Sequence, residues 1–108
     1  MYGEDAARDL IAVLRSGESD ERMAAAAALA RIGTPVVGEV IRALGDADPR
    51  TRMWAAYTLG LIGDPAARNA LLAAAADGSD GGVVKWARAA LERIDDLQSG
   101  RSCRGCCR

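Results

Sequence analysis

The sequence predicts an all-α solenoid, six helices arranged as about three two-helix repeats. Three observations predict it. Half of the 108 residues are apolar, yet there is no Phe and only Tyr2, Trp54, Tyr57 and Trp86 are aromatic. The apolar set is mostly alanine, the strongest helix former, which buries little area per residue and therefore needs closely spaced helices. A shift of thirty residues lays ERMAAAAALARIGTP (21–35) over TRMWAAYTLGLIGDP (51–65) with eight identities in fifteen positions and no gap. Such a copy is the mark of a repeat architecture. Finally, the segments between the apolar-periodic stretches are short and rich in glycine.

Each element follows from this register. Leu10, Ile11, Val13 and Leu14 recur at helical spacing and place a first helix over about 4–15. Ser16-Gly17-Glu18 ends it, and the first copy of the repeat supplies a helix over 19–32. Gly33-Thr34 leads to a helix over 35–45, in which Ile41 and Leu44 match Ile11 and Leu14. Gly45 to Asp48 connects to the second copy, 49–62, with Ala55, Leu59 and Ile62 as its stripe. The segment 66–80 aligns with 36–50 more weakly and gives a helix over 65–76. A connection two residues longer brings Trp86, Ala87, Leu91 and Ile94 onto Trp54, Ala55, Leu59 and Ile62, in a helix over 82–96. The repeat domain is thus 1–96, and 97–108 (LQSGRSCRGCCR) reads as a flexible tail. Leu29, Ile32, Ile41, Leu44, Leu59, Ile62 and Leu71 are the expected buried residues between helix layers.

The stretch TLGLIGDP (58–65) has the look of a phosphate-binding loop. Its copy decides against that. Gly63-Asp64-Pro65 repeats Gly33-Thr34-Pro35 between two helices. Glycine past a helix end supplies a left-handed residue, Asp or Thr caps the next helix, and proline takes its first position. A phosphate loop needs a strand before it, and the residues before Gly60 read as helix.

The pattern D-P-R-x-R-x-x-A-A-x-x-L-G-x-I-G-D-P at Asp48–Pro65 resembles HEAT-like repeats, particularly the short kind found in phycobilin lyases. The resemblance covers 4–96. It implies a right-handed solenoid of antiparallel helix pairs, with first helices on the convex side and second helices on the concave side. This chain would then begin with a second helix, hold two full pairs and end with a first helix. The third repeat departs from the pattern, since Val84 stands where Arg22 and Arg52 stand.

Composition removes several kinds of chemistry. The chain has no histidine, so histidine bases, Ser–His and Cys–His pairs and most zinc sites are excluded. The metal-dependent deoxyhypusine hydroxylases among HEAT-like proteins use paired His–Glu motifs and are excluded for the same reason. No nucleophile stands beside an activating base, so no catalytic residue is expected, and no cofactor. A net charge of −1 argues against nucleic acid as a partner. No stretch approaches a transmembrane span and the start MYGEDAARD is acidic, so a cytoplasmic protein is expected. Asp95-Asp96 reads as a helix end in solvent.

Four sets of residues are candidates for function, each with a structural reading beside it. Arg22 and Arg52 form a basic ridge for an acidic partner, or reach a neighbouring turn; recurrence with the repeat favours the turn. Trp54 and Tyr57, with Thr58 and Leu61, lie at helical spacing beside the core stripe, and Trp86 recurs at the Trp54 position. They form an exposed ridge for a protein or apolar ligand, or they pack between repeats. The exposed stripe of the second helices takes Arg8, Asp9 and Ala12, then Gly38, Glu39 and Arg42, then Arg68, Asn69 and Leu72. Its mixed charge suits a protein contact, or it is a solvated face. Cys103, Cys106 and Cys107 are a weak metal set, because tetrahedral zinc wants four ligands and the tail offers three; the alternative is an inert or reactive tail.

The reading these residues support is a non-enzymatic protein-interaction or scaffold module. The rival is an accessory subunit resembling a phycobilin (tetrapyrrole) lyase, which would hold its ligand with Trp54 and Trp86. A third is a thiol or metal carrier acting through the tail. The helix over 82–96 carries more apolar residues than one inward stripe needs. A weak homodimer or a hetero-complex docked at that end is therefore expected, with Val84 and Trp86 near the contact, unless Trp86 folds onto the preceding first helix.

Overall fold

The computed structural model describes residues 2–78 and 80–98, with side chains from residue 7 onward. Six α-helices follow one another: α1 (Tyr2–Ser16), α2 (Ser19–Ile32), α3 (Val37–Ala43), α4 (Pro49–Ile62), α5 (Arg68–Asp77) and α6 (Gly81–Gln98). No strand occurs among the described residues. The helices form two rows. The first helices α2, α4 and α6 pack side by side, and the second helices α1, α3 and α5 lie against them. The expected all-α helical-repeat fold is the fold found.

Polar side chains fix where the first helices begin. Glu18 and Glu21 form a reciprocal capping box at α2, the Glu18 amide donating to Glu21 Oε1 at 2.9 Å. Asp48 Oδ1 accepts from the Arg50 amide at α4, with Pro49 following. Asp80 Oδ1 accepts from the Gly82 and Val83 amides at α6.

The second helices start differently from expectation. Thr34–Val36 and Pro65–Ala67 are short 3-10 turns ahead of α3 and α5. Asp64 caps its turn by accepting from the Ala66 amide, but the other turn has Gly33 at its cap position, with Thr34 already inside the turn. The glycines before these turns differ too. Gly63 is left-handed (φ 75°, ψ 19°), whereas Gly33 has φ 80° and ψ −137°. Both have positive φ, so the punctuation is conserved between the two copies while its detail is not.

The core is thin and regular. Each first helix contributes small residues and one larger one: Ala25, Ala26 and Leu29, then Ala55, Ala56 and Leu59, then Ala87, Ala90 and Ile94. The second helices answer with Ile11 and Leu14, Val37 and Val40, and Leu71. Of the seven residues expected inside, Leu29, Leu44, Leu59 and Leu71 are buried, but Ile32, Ile41 and Ile62 are only partly so. Ile32 and Ile62 are the last residues of α2 and α4, at the rim of the layer. Ile41 lines an open cleft of about 870 Å³ that also runs along Ala70, Ala73 and Ala74 of α5.

Of the expected tail 97–108, residues 99–108 lie outside the described residues. Leu97 and Gln98 form the last turn of α6, and Leu97 lies against Gly63. No single described helix is long and apolar enough to cross a membrane. The bent pair α2 and α3 passes on length and composition, but its halves diverge by 116° and its apolar residues Leu29, Val36 and Val40 belong to the core.

Candidate functional site

The first-helix row carries a groove of about 160 Å³ lined by Met23 of α2, Met53, Trp54 and Tyr57 of α4, and Trp86 of α6. Three successive first helices supply it because the repeat returns the same helix face at each step. Tyr57 is the hinge of the cluster. Its ring meets Trp54 edge-on at 5.5 Å between centroids and Trp86 edge-on at 5.1 Å. Such geometry adds about 0.5–1.5 kcal/mol per pair beyond area burial. The Tyr57 hydroxyl donates to Met23 Sδ at 3.7 Å, and Lys85 Nζ lies 5.7 Å from the Trp86 ring centroid.

These aromatics are half-buried. They pack between repeats, and they leave an open apolar surface. Trp86 folds onto α4, the arrangement set against self-association. Val84 is two residues away, about 200° around the helix, and lies in a different depression with Ala75, Arg88 and Glu92. The structure does not bring Val84 and Trp86 onto one contact surface.

The groove adds Met23, Met53 and Lys85 to the residues expected from the sequence. The signal existed, since Met23 and Met53 are one of the eight repeat identities. They read as register because a repeated residue is usually structural. Met23 is instead 51% exposed at the mouth of the groove.

Arg22 and Arg52 reach a neighbouring turn. Arg22 Nη2 donates to the Arg15 carbonyl at 3.1 Å, and Arg52 Nη1 donates to the carbonyls of Asp46 (2.8 Å) and Ala47 (3.1 Å). Each guanidinium thus satisfies carbonyls where the preceding second helix ends. They do not form an exposed ridge: Arg22 is buried and Arg52 half-buried.

The second-helix stripe is exposed at Arg8, Asp9, Ala12, Gly38, Arg42, Asn69 and Leu72, with Glu39 partly covered. Two of its arginines form ion pairs. Arg42 pairs with Glu39 at 3.6 Å, and Arg68 pairs with Asp95 of α6. Cys103, Cys106 and Cys107 lie outside the described residues. Among the described residues no group of three or more Cys, Asp or Glu is placed to hold a metal ion.

Comparison with known proteins agrees with this geometry. A family model described as HEAT repeats matches residues 7–92. The chain is also 39% identical over 67 residues to SkfG of Bacillus subtilis (strain 168), a protein described as uncharacterized. That match covers 59% of this chain and 39% of SkfG, so the chain spans well under half of that relative's length.

Proposed function

The chain belongs to the HEAT-repeat family, and from that premise we propose that it is a non-enzymatic protein-interaction module which seats a segment of a partner in the Met–Trp–Tyr groove. One observation carries the reading. The largest side chains of the first-helix row converge there from three successive helices and stay half-exposed. Aromatic and methionine side chains dominate binding energy at protein interfaces, since they offer much contact area at small conformational cost. An Ala-rich chain that places its two tryptophans and a tyrosine around one depression concentrates its binding capacity there.

The tetrapyrrole reading finds less support. Trp54 and Trp86 are bridged by Tyr57 and do not face each other across an open slot. The groove of about 160 Å³ is below the roughly 300–1,000 Å³ of sites that enclose a drug-sized ligand.

Site-specific photocrosslinking tests the proposal. A benzophenone amino acid at position 23 would report on the groove, and one at position 69 on the second-helix stripe. Covalent adducts with one partner from position 23, lost on Trp54→Ala, are expected. Adducts from position 69 alone would move the interface to the other row.

A further inference from the structure

The groove does not end at its aromatic floor. A depression holding Arg50 shares Met53 and Trp54 with it at one end, and a depression holding Arg93 shares Tyr57 and Trp86 at the other. Lys85 stands at the Trp86 edge. The path is therefore an apolar trough with a cation at each end and a third beside it.

The ion pairs found among the described residues draw their arginines from the second helices, although Arg8 is in none of the three. Among the described residues, Arg15 of α1 pairs with Asp46, Arg42 of α3 with Glu39, and Arg68 of α5 with Asp95. Each second helix thus has an arginine whose charge is met within the fold. Arg50, Lys85 and Arg93 are exposed on the first-helix row and take part in none of these pairs. Helix α4 itself contains no acidic residue. Glu18 and Asp20 share the Arg50 end, so the excess of positive charge lies on the Lys85 and Arg93 side of the groove. The chain as a whole is slightly acidic, with a net charge of −1, so the cationic Lys85 and Arg93 side of the groove is a local feature.

From this charge complementarity we infer that the occupant of the groove is an acidic segment of a partner protein, with a bulky apolar residue near its centre. The inference rests on the groove being the interface. Arg50 to Leu61 covers roughly 16 Å along the α4 axis, which matches about five residues of extended chain. A central leucine, methionine or aromatic side chain would enter between Met23, Trp54 and Trp86, and flanking carboxylates would meet Arg50, Lys85 and Arg93. Opposed charges of this kind set partner choice and encounter rate. A membrane surface is the weaker occupant, because the apolar side chains line a depression and do not project as an insertable face.

Phage-displayed random seven-residue peptides, selected on the full chain, test this. Enriched peptides would be fluorescein-labelled and titrated by anisotropy. The variants are Arg50→Glu/Arg93→Glu, both at exposed positions, and Met23→Glu at the mouth of the groove, with circular dichroism confirming the fold. The expected result is acidic peptides with a central apolar residue whose affinity falls at least tenfold in both variants and weakens with salt. Neutral or basic peptides that still depend on Met23 would overturn the acidic inference and leave the groove as the interface. Peptides indifferent to Met23→Glu, or no enriched peptide, would overturn both. Binding to phosphatidylglycerol vesicles, lost on charge reversal and without peptide enrichment, would overturn it in favour of a membrane.

Discussion

Gly60 of α4 lies directly on Ala90 of α6: a β-carbon added at Gly60 would stand 3.0 Å from the Ala90 Cβ and 3.1 Å from its Cα. This contact sets how closely two neighbouring first helices approach. The side chains of Tyr57 and Trp86 meet beside it because the helix axes are so near.

Gly60→Leu should therefore separate α4 from α6. Glycine inside a helix costs about 0.5–1 kcal/mol relative to alanine, so replacement gains propensity. Here the neighbour is backbone, which cannot turn aside, and overpacking of a tight contact costs about 1–3 kcal/mol or more. Gly60→Leu is expected to lose stability and Gly60→Ala to fall near zero net. Urea unfolding would read both. A leucine variant as stable as the parent would show that the two helices are not held at this distance.

Leu59 is fully buried one turn before the end of α4, while Ile62 is partly exposed at its last residue. Leu59→Ala should cost about 2–4 kcal/mol by transfer and cavity terms. Ile62→Ala should cost distinctly less, since water already reaches that side chain. In a small domain whose net stability is of order 5–15 kcal/mol, the first change alone is a large share. Thermal melts of the two variants check the order; equal losses would contradict the rim position of Ile62.

Much of this fold was legible because repetition made weak signals add. One Gly-Asp-Pro is ambiguous, but its alignment with Gly33-Thr34-Pro35 identified both as helix punctuation. The role of Arg22 and Arg52 was legible for the same reason. What escaped depended on distances between rows. Ile41 and Leu44 have the same sequence signature and line the same cleft, yet Leu44 is buried and Ile41 only partly so. The thirty-residue shift aligned Met23 with Met53, but nothing in one dimension showed both opening onto the aromatic cluster. The 3-10 entry to α3 and α5 was hidden because proline at a first position suits either helix type.

Arg52 and Arg22 are expected to differ in value although they occupy equivalent positions. Arg52 makes two carbonyl contacts, and Arg22 makes one while its Nε is buried without a hydrogen-bond partner among the described residues. A hydrogen bond from a charged group contributes about 1.5–3 kcal/mol, and an unsatisfied buried donor subtracts about 1–3. Arg52→Met should therefore destabilise more than Arg22→Met. Lysine should rescue neither fully, because one ammonium cannot reproduce the planar fork. Paired chemical denaturation of the two methionine variants gives the comparison, and a larger loss at Arg22 would reverse the ranking.

Gly63 carries the turn that first raised the question of a phosphate loop. Its φ of 75° is left-handed, a conformation that costs an L-residue with a β-carbon about 1–2 kcal/mol. A β-carbon there would also stand 2.6 Å from Leu97 Cδ1, though the end of that half-exposed side chain can swing away. The strain term therefore dominates, and Gly63→Ala should lose about 1–2 kcal/mol. Gly38 is the internal contrast. It lies within α3, has no atom within 4 Å of a built β-carbon, and is not among the positive-φ glycines. Gly38→Ala should gain about 0.4–1 kcal/mol through helix propensity and a less flexible unfolded chain. The opposite signs are the test, because composition is changed identically in the two variants. Melting temperatures that move in the same direction would mean that Gly63 is not held left-handed between α4 and the Pro65–Ala67 turn.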